Sequence, residues 1–237
     1  SNVVRVEDFF PFVSACTLTV DPFQHLDGVR QIIVSHNVIT VQYFEYFTKQ
    51  NQAHWMPTEV PMENDIVDYK NNLSQAESAL IVNILRFFTQ SDIEVNNNYN
   101  SRLIPMLPKP EIKMMLTSFA QMESIHVWAY SYLNDSLGLP EKEYSAFLEF
   151  ESMRKKYDYI QSFDVRSVED LAVNLAVFGG FIEGVSLFSS FAILMNFPRM
   201  GKMKGVGQIV TWSIRDESLH SKGVCHLFRD VMAEHRY

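Results

Sequence analysis

The chain has 237 residues, 47% hydrophobic and 20% charged, and a net charge of −8. That length suits one large domain or two small ones with an ample core. An acidic balance with no long run of like charges argues against a nucleic-acid footprint and against an interaction tail.

Residues 1–24 carry Pro11 and Pro22 and no clean period, so an irregular strap is expected there. An aromatic-rich amphipathic helix is expected over 40–55, broken by Pro57 and Pro61. Ser74 followed by Glu77 is a capping box. It starts a helix that should run to about Tyr99 and stop before "IPMLPKP". Pro110 opens the next helix, 110–134, closed by Gly138 and Pro140. Another amphipathic helix is expected over 141–160. Ser167 caps a long one, 168–195, that ends at Pro198, and a last helix occupies about 206–234. No period-two strand pattern appears outside the first residues. Helices of about 40 Å joined by turns pack as a bundle. The expected fold is all-α, a ferritin-like four-helix bundle core with flanking helices, in a single domain over 1–237.

Cys16 and Cys225 have no CxxC spacing and read as reduced thiols of a cytoplasmic protein. The N-terminus lacks the basic and apolar segments of a signal peptide. The most apolar stretch, 171–195, contains Glu183, and no membrane span is expected.

"QMESIHVWAYSYL" (121–133) is apolar enough for a buried helix, yet Glu123 and His126 sit three apart on one face of it. "IRDESLHSKG" repeats the pattern with Glu217 and His220. Two other apolar helices each hold one acid, Asp92 in "LRFFTQSDIEV" and Glu183 in "VFGGFIEGVSLF". The order is acid, ExxH, acid, ExxH, with nearly equal acid-to-ExxH intervals, so each half reads as a helix hairpin presenting its groups at similar depth. One carboxylate from each of two helices plus Glu-x-x-His from two others is the donor set of a dinuclear carboxylate site. Two divalent ions would cancel the four carboxylate charges. Iron or manganese suits such hard oxygens with one imidazole per metal, while ligand type alone leaves zinc and cobalt open. A single ExxH is by itself an ordinary helical pair, and Glu183 alone could be a structural hydrogen-bonding residue. The four-helix recurrence is what carries the signal. Glu94, two residues from Asp92, should face away from the site, and Asp170 belongs to the dipole of its helix N-terminus.

Tyr130 lies one turn beyond His126 on the same face. It reads either as a buried tyrosine or as a phenol that an oxygen-activating metal pair oxidises, with Leu187 and Phe191 as its apolar shell. The segments "SDIEV", "MESIHVWAY", "FIEGVSLFSSF", "IRDESLH" and "HWMPTEVP" resemble the small, radical-generating subunit of class I ribonucleotide reductase over roughly 41–230. The resemblance implies the metal ligands Asp92, Glu123, His126, Glu183, Glu217 and His220, and two metal ions per chain, iron first with manganese or a mixed pair as alternatives. It implies a tyrosyl radical at Tyr130, and a relay through Asp216 and Trp55 toward a separate catalytic large subunit that reduces ribonucleotides to deoxyribonucleotides. Read without the resemblance, Trp55 is a packed aromatic anchor. A homodimer and, with manganese, an activating flavoprotein are further implied partners, with no nucleic acid and no membrane. Neither a P-loop nor GxGxxG is present, so no nucleotide site is expected here.

Three departures from the family pattern stand out. Ser213 replaces a usual apolar residue of the radical pocket, the stretch between His126 and Glu183 is short, and the sequence ends soon after His220. Family members continue to a tail that docks on the catalytic subunit, which is expected to lie outside the given sequence or to be lost. The rival readings are a di-metal oxidase or desaturase on the same scaffold and a ferritin-type iron-storage protein.

Overall fold

The structure, a computed structural model, describes residues 38–140 and 151–235. The expected N-terminal strap, Cys16 and the first half of the helix expected over 141–160 lie outside the described residues. The chain divides into two compact units, Ser1–Val41 and Gln42–Tyr237, and the second contains all six candidate ligands.

Helix α1 (Val38–Gln52) leads through a 3₁₀ turn, Pro57–Glu59, to α2 (Glu63–Asn71) and α3 (Gln75–Asn97). A π-helical segment, Asn98–Leu103, and one turn of α-helix, Ile104–Met106, follow before α4 (Pro110–Leu137). Then come α5 (Glu151–Gln161) and α6, a single rod of α-helical Val168–Leu175, π-helical Ala176–Ser186 and α-helical Leu187–Leu194. The one-turn helix Asn196–Arg199 leads to α7 (Lys204–His235). No strand occurs among the described residues.

The local signals act where the sequence places them. Ser74 accepts from the Glu77 amide, and the Glu77 carboxylate accepts from the Ser74 amide at 2.7 Å. Ser167 and Asp170 form the same box at the start of α6, so Asp170 is a cap. Gly138 ends α4 with φ of 72°, a left-handed cap that favours glycine. The expected helix end near Tyr99 differs: α3 passes into the π-helical segment and the rod continues to Met106.

Helix α2 is an element that sequence reading leaves inside a Pro-punctuated break, because it is short and polar. It clamps the start of α7. Asp65 is 1% exposed and accepts from the Gly205 and Val206 amides at 2.9 and 2.8 Å, and Asp68 accepts from Met203 at 2.9 Å. These are the orphan donors of a helix N-terminus, supplied with acceptors from another element.

Two apolar clusters organise the bundle. One holds Ile81–Phe88 residues of α3, Ala129–Leu137 residues of α4, Leu187, Phe191 and Leu194 of α6, and Val206, Ile209 and Val210 of α7. The other holds Val95 and Tyr99, Ile112–Ala120 residues of α4, Leu171, Leu175 and Phe178 of α6, and Val224, Leu227 and Val231 of α7. Each rod therefore crosses from one cluster to the other, and its polar ligand positions fall between them. The direction of crossing makes α3 antiparallel to α4 and α6 antiparallel to α7, while α4 and α6 run parallel. A parallel pair needs one long return connection, and residues 138–167 supply it, as in ferritin-like topology.

The stretch Val168–Arg199 is long and apolar enough to cross a bilayer by length and composition alone. Its apolar residues serve both clusters, and Glu183 in its middle is fully buried. Gly179 lets α6 approach α7, since a Cβ there would lie 2.4 Å from Val224 Cγ1. The Ser221 hydroxyl donates to the Gly179 carbonyl at 2.7 Å across that contact.

Replacing Asp65 with Ala strands two buried amides at the start of α7. The unfolding free energy should fall by about 2 kcal/mol, read as a lower denaturant midpoint at unchanged m-value.

Candidate metal centre

All six predicted ligands converge. Asp92, Glu123, His126, Glu183, Glu217 and His220 are each 0–1% exposed and lie between the two apolar clusters. His126 Nδ1 lies 3.2 Å from Glu217 Oε1, 3.5 Å from Glu123 Oε2 and 3.9 Å from Asp92 Oδ2. His220 Nδ1 lies 2.8 Å from Glu123 Oε1, 3.6 Å from Glu217 Oε2 and 3.8 Å from Glu183 Oε1. Glu123 and Glu217 thus turn one oxygen to each histidine. Asp92 belongs to the His126 half and Glu183 to the His220 half. Within each of two groups, Asp92–Glu123–His126 and Glu123–Glu183–Glu217–His220, donor atoms lie within 4.8 Å of one another.

The unpartnered atoms give the test of fit. Asp92 Oδ1, both oxygens of Glu123 and of Glu217, Glu183 Oε2 and both Nδ1 atoms are buried without a hydrogen-bond partner. Buried polar atoms are almost always paired, so eight orphans turned on one centre fit a site that would hold cations. Carboxylate oxygens with one imidazole nitrogen per half suit a pair of first-row metal ions.

The electrostatics agree. Burial, then the Glu123 charge, raises the Asp92 carboxyl well above the usual range, and burial, then the Glu217 charge, does the same to Glu183. Burial opposes charging of His220, but the Glu123 and Glu217 carboxylates that face it outweigh this and push it up to about 10. His126 is likewise raised against its burial, by Asp216, Glu123 and Glu217. Glu123 is lowered despite burial, because both imidazoles face it.

The outer faces of the two imidazoles are fixed. His126 Nε2 meets Asp216 Oδ2 at 3.2 Å, and the Trp55 indole N–H donates to that same oxygen at 2.7 Å. Indole and imidazole thus share one oxygen of Asp216. Gln50, absent from the sequence reading, closes the circuit. Its amide donates to Asp216 Oδ1 at 3.2 Å, and its Oε1 meets His220 Nε2 at 3.1 Å. One residue of α1 thereby links the outer shells of both halves, which orients the ligands and sets their tautomers. Nothing in the spacing of Gln50 points to this.

Tyr130 is 1% exposed, and its hydroxyl donates to Ser213 Oγ at 3.0 Å. Burial first, then the Asp92 charge, raises its pKa well above the ordinary phenol range. Leu187 and Phe191 belong to its apolar cluster as expected, but Phe88 is the ring stacked on it, with centroids 4.9 Å apart, and Phe191 backs Phe88 at 4.8 Å. Phe88 lies one turn before Asp92, a spacing that could have identified it. Tyr99, a second buried phenol that sequence reading passes over, donates to Glu183 Oε1 at 2.5 Å.

Glu94 is buried away from the centre, as its spacing from Asp92 predicts. It accepts from Gln90 at 3.0 Å and from Gln161, beside an apolar cavity of about 200 Å³ lined by Phe87, Ile160, Val177 and Phe181.

Residues 35–237 match the family model described as ribonucleotide reductase, small chain. Over 209 residues the chain is 42% identical to a ribonucleoside-diphosphate reductase small subunit, named as probable, of Invertebrate iridescent virus 6; the match covers 82% of this chain and 58% of that one. It is 31% identical over 202 residues to the ribonucleoside-diphosphate reductase subunit beta of Chlamydia pneumoniae, covering 78% and 58% respectively. The chain thus spans a little over half the length of these relatives. The ribonucleotide reductase R2 subunit from Clostridium botulinum shares the fold with a TM-score of 0.74 at 20% identity, covering 82% of this chain and 63% of that one. An R2-like ligand-binding oxidase from Sulfolobus acidocaldarius does so at 0.68 and 22%, covering 86% and 78%. With the acid–ExxH donor set gathered in one buried layer and the small-chain model spanning nearly the whole sequence, the protein belongs to the ribonucleotide reductase small-chain family.

Proposed function

We propose that this chain stores an oxidising equivalent as a radical on Tyr130 and delivers it to a separate catalytic subunit that reduces ribonucleotides to deoxyribonucleotides. The observation that carries the reading is the set of eight unpartnered buried donor atoms, divided into two linked groups, one turn from a sealed phenol. Asp92, Glu123, His126, Glu183, Glu217 and His220 would hold two metal ions, iron first, with manganese or a mixed pair sharing the same donor chemistry. Bound there, the pair would supply a one-electron oxidant strong enough for a phenol.

The protein's own part is to place, seal and connect that phenol. Tyr130 would be the group oxidised by one electron, and its hydroxyl is held in a fixed direction by donating to Ser213 Oγ. A neutral phenoxyl persists only without water and reductants, and Phe88, Phe191 and Leu187 supply that exclusion. Asp216 holds the imidazole of His126 and the indole of Trp55 on a single oxygen, which joins ligand and indole in one hydrogen-bonded path. Trp55 is 2% exposed and packs on Trp212 with centroids 5.1 Å apart. The large subunit, a homodimer of this chain, a cytoplasmic setting and, with manganese, a flavoprotein activator complete the proposal on the strength of family membership. The free, half-buried thiol of Cys225 suits a reducing compartment.

The second reading, a di-metal oxidase acting on an apolar molecule, draws support from the cavity beside Glu94. A long-chain compound extracted from the purified protein by organic solvent would favour it.

Stripped of metal and titrated with manganese(II) under argon, the protein should bind two ions per chain. Each site should add about 2.7 kcal/mol of stability at 100 times its Kd, read as a rise in melting temperature. Tyr130→Phe should keep both metals and lose the organic radical in electron paramagnetic resonance; a tyrosyl signal persisting in that variant refutes the assignment. Trp55→Phe removes the donor to Asp216. Metal content and the Tyr130 radical should survive, while turnover with the catalytic subunit falls about 100-fold, on the order of 3 kcal/mol in barrier.

A further inference from the structure

The hydroxyl that meets Tyr130 differs from its neighbours on α7. Thr211 and Ser218 each donate to the carbonyl four residues back, those of Gly207 and Ile214, at 2.7 and 2.6 Å. A hydroxyl in mid-helix commonly disposes of its proton in this way. Ser213 lies between them, is 0% exposed and accepts the Tyr130 hydroxyl at 3.0 Å. No hydrogen bond among the described residues has Ser213 as its donor.

The packing around the pair is apolar. Phe88 stacks on the Tyr130 ring, Phe191 backs Phe88, and Ile209 and Val210 of α7 belong to the same cluster. A buried hydroxyl whose proton has no acceptor is uncommon, and the oxygen that faces this one is the phenol's. Two hydroxyls set against each other can share a hydrogen bond in either sense, because each carries a donor and lone pairs. The phenol is the donor here. Burial first, then the Asp92 charge, holds Tyr130 protonated, while the bond to Ser213 acts against them and favours the oxygen without its proton.

We propose that Ser213 is a positioning residue for the oxidised form of Tyr130: it accepts from the phenol and, by rotation about its Cβ–Oγ bond, donates to the phenoxyl oxygen, so that a protein hydroxyl hydrogen-bonds the radical inside its apolar shell. The inference rests on the proposed function and deepens it. Oxidation removes one electron from the phenol, taken by the one-electron oxidant assigned to the loaded centre, and breaks the O–H bond. The proton leaves toward the carboxylates of the buried layer, since an alcohol oxygen is too weak a base to keep it. Ser213 neither gains nor loses a proton; its hydrogen bond reverses. A Ser213 that only fills space would leave no exchangeable hydrogen beside the phenoxyl oxygen.

The full chain, equilibrated metal-free in water or in deuterium oxide, is loaded with iron(II) and exposed to air. High-field electron paramagnetic resonance and electron–nuclear double resonance then read the radical. The wild type should show one exchangeable hydrogen coupled to the phenoxyl, replaced by deuterium in deuterium oxide. Ser213→Ala should lose that coupling, and the largest g value should rise, as it does when a phenoxyl loses a hydrogen-bond donor. Ser213→Thr, which keeps a hydroxyl, should restore both. A wild-type Tyr130 radical without exchangeable coupling overturns the inference and leaves the proposed function standing, whether or not either variant folds. So does a coupling that persists unchanged in Ser213→Ala, because its source is then another donor. A wild-type chain that takes up metal and forms no tyrosyl radical overturns both.

Discussion

Four carboxylates and two imidazoles share a layer from which water is excluded, and the cost of putting them there governs the rest of the molecule. Desolvating one ion costs several kcal/mol even after relaxation, and here the carboxylates also repel one another. The site answers in two ways. It raises the proton affinity of Asp92 and Glu183 and of both histidines. It also leaves eight donor atoms without a protein partner, a condition relieved by cations. Bound cations would convert energy that counts against folding into affinity for metal.

The scaffold follows from the need to keep that layer dry. Each of the four long rods runs from one apolar cluster through the polar layer into the other. The six candidate ligands consequently sit at mid-length, sealed at both ends, and the same clusters house the two phenols. Tyr130 lies in the first cluster, against Phe88, and Tyr99 in the second, against Phe119. Helix α6 reaches its place because Gly179 allows contact with α7, and it carries Glu183 on a π-helical stretch. Such irregular turns often coincide with functional sites. A second ring of hydrogen bonds then removes the remaining freedom. Asp216, Gln50 and Trp55 hold the outer nitrogens of the histidines, which points both Nδ1 atoms inward.

The clamp at the start of α7 belongs to the same logic at longer range. Glu217 and His220 both lie on α7, whose direction is set where its first amides meet Asp65 of α2. Helix α1 contributes Gln50 to the outer ring of the site. The flanking helices are therefore part of the centre's support, although they contribute none of the six predicted ligands.

By itself the sequence determined the all-α class, the capped helix starts at Ser74 and Ser167, the left-handed stop at Gly138 and the six acid and histidine positions that meet in the buried layer. These are local or periodic properties: a cap is a matter of three neighbouring residues, and a polar side chain recurring in an apolar helical stripe already specifies a shared inward face. Tertiary structure alone decided which oxygen faces which partner. That Trp55 and His126 share Asp216 Oδ2, that Gln50 spans both histidines, that Tyr99 occupies one oxygen of Glu183 and that Asp65 caps a helix far along the chain are pairings between distant segments. No spacing rule encodes them, because each depends on how rods of fixed pattern rotate and slide against one another until their side chains interlock.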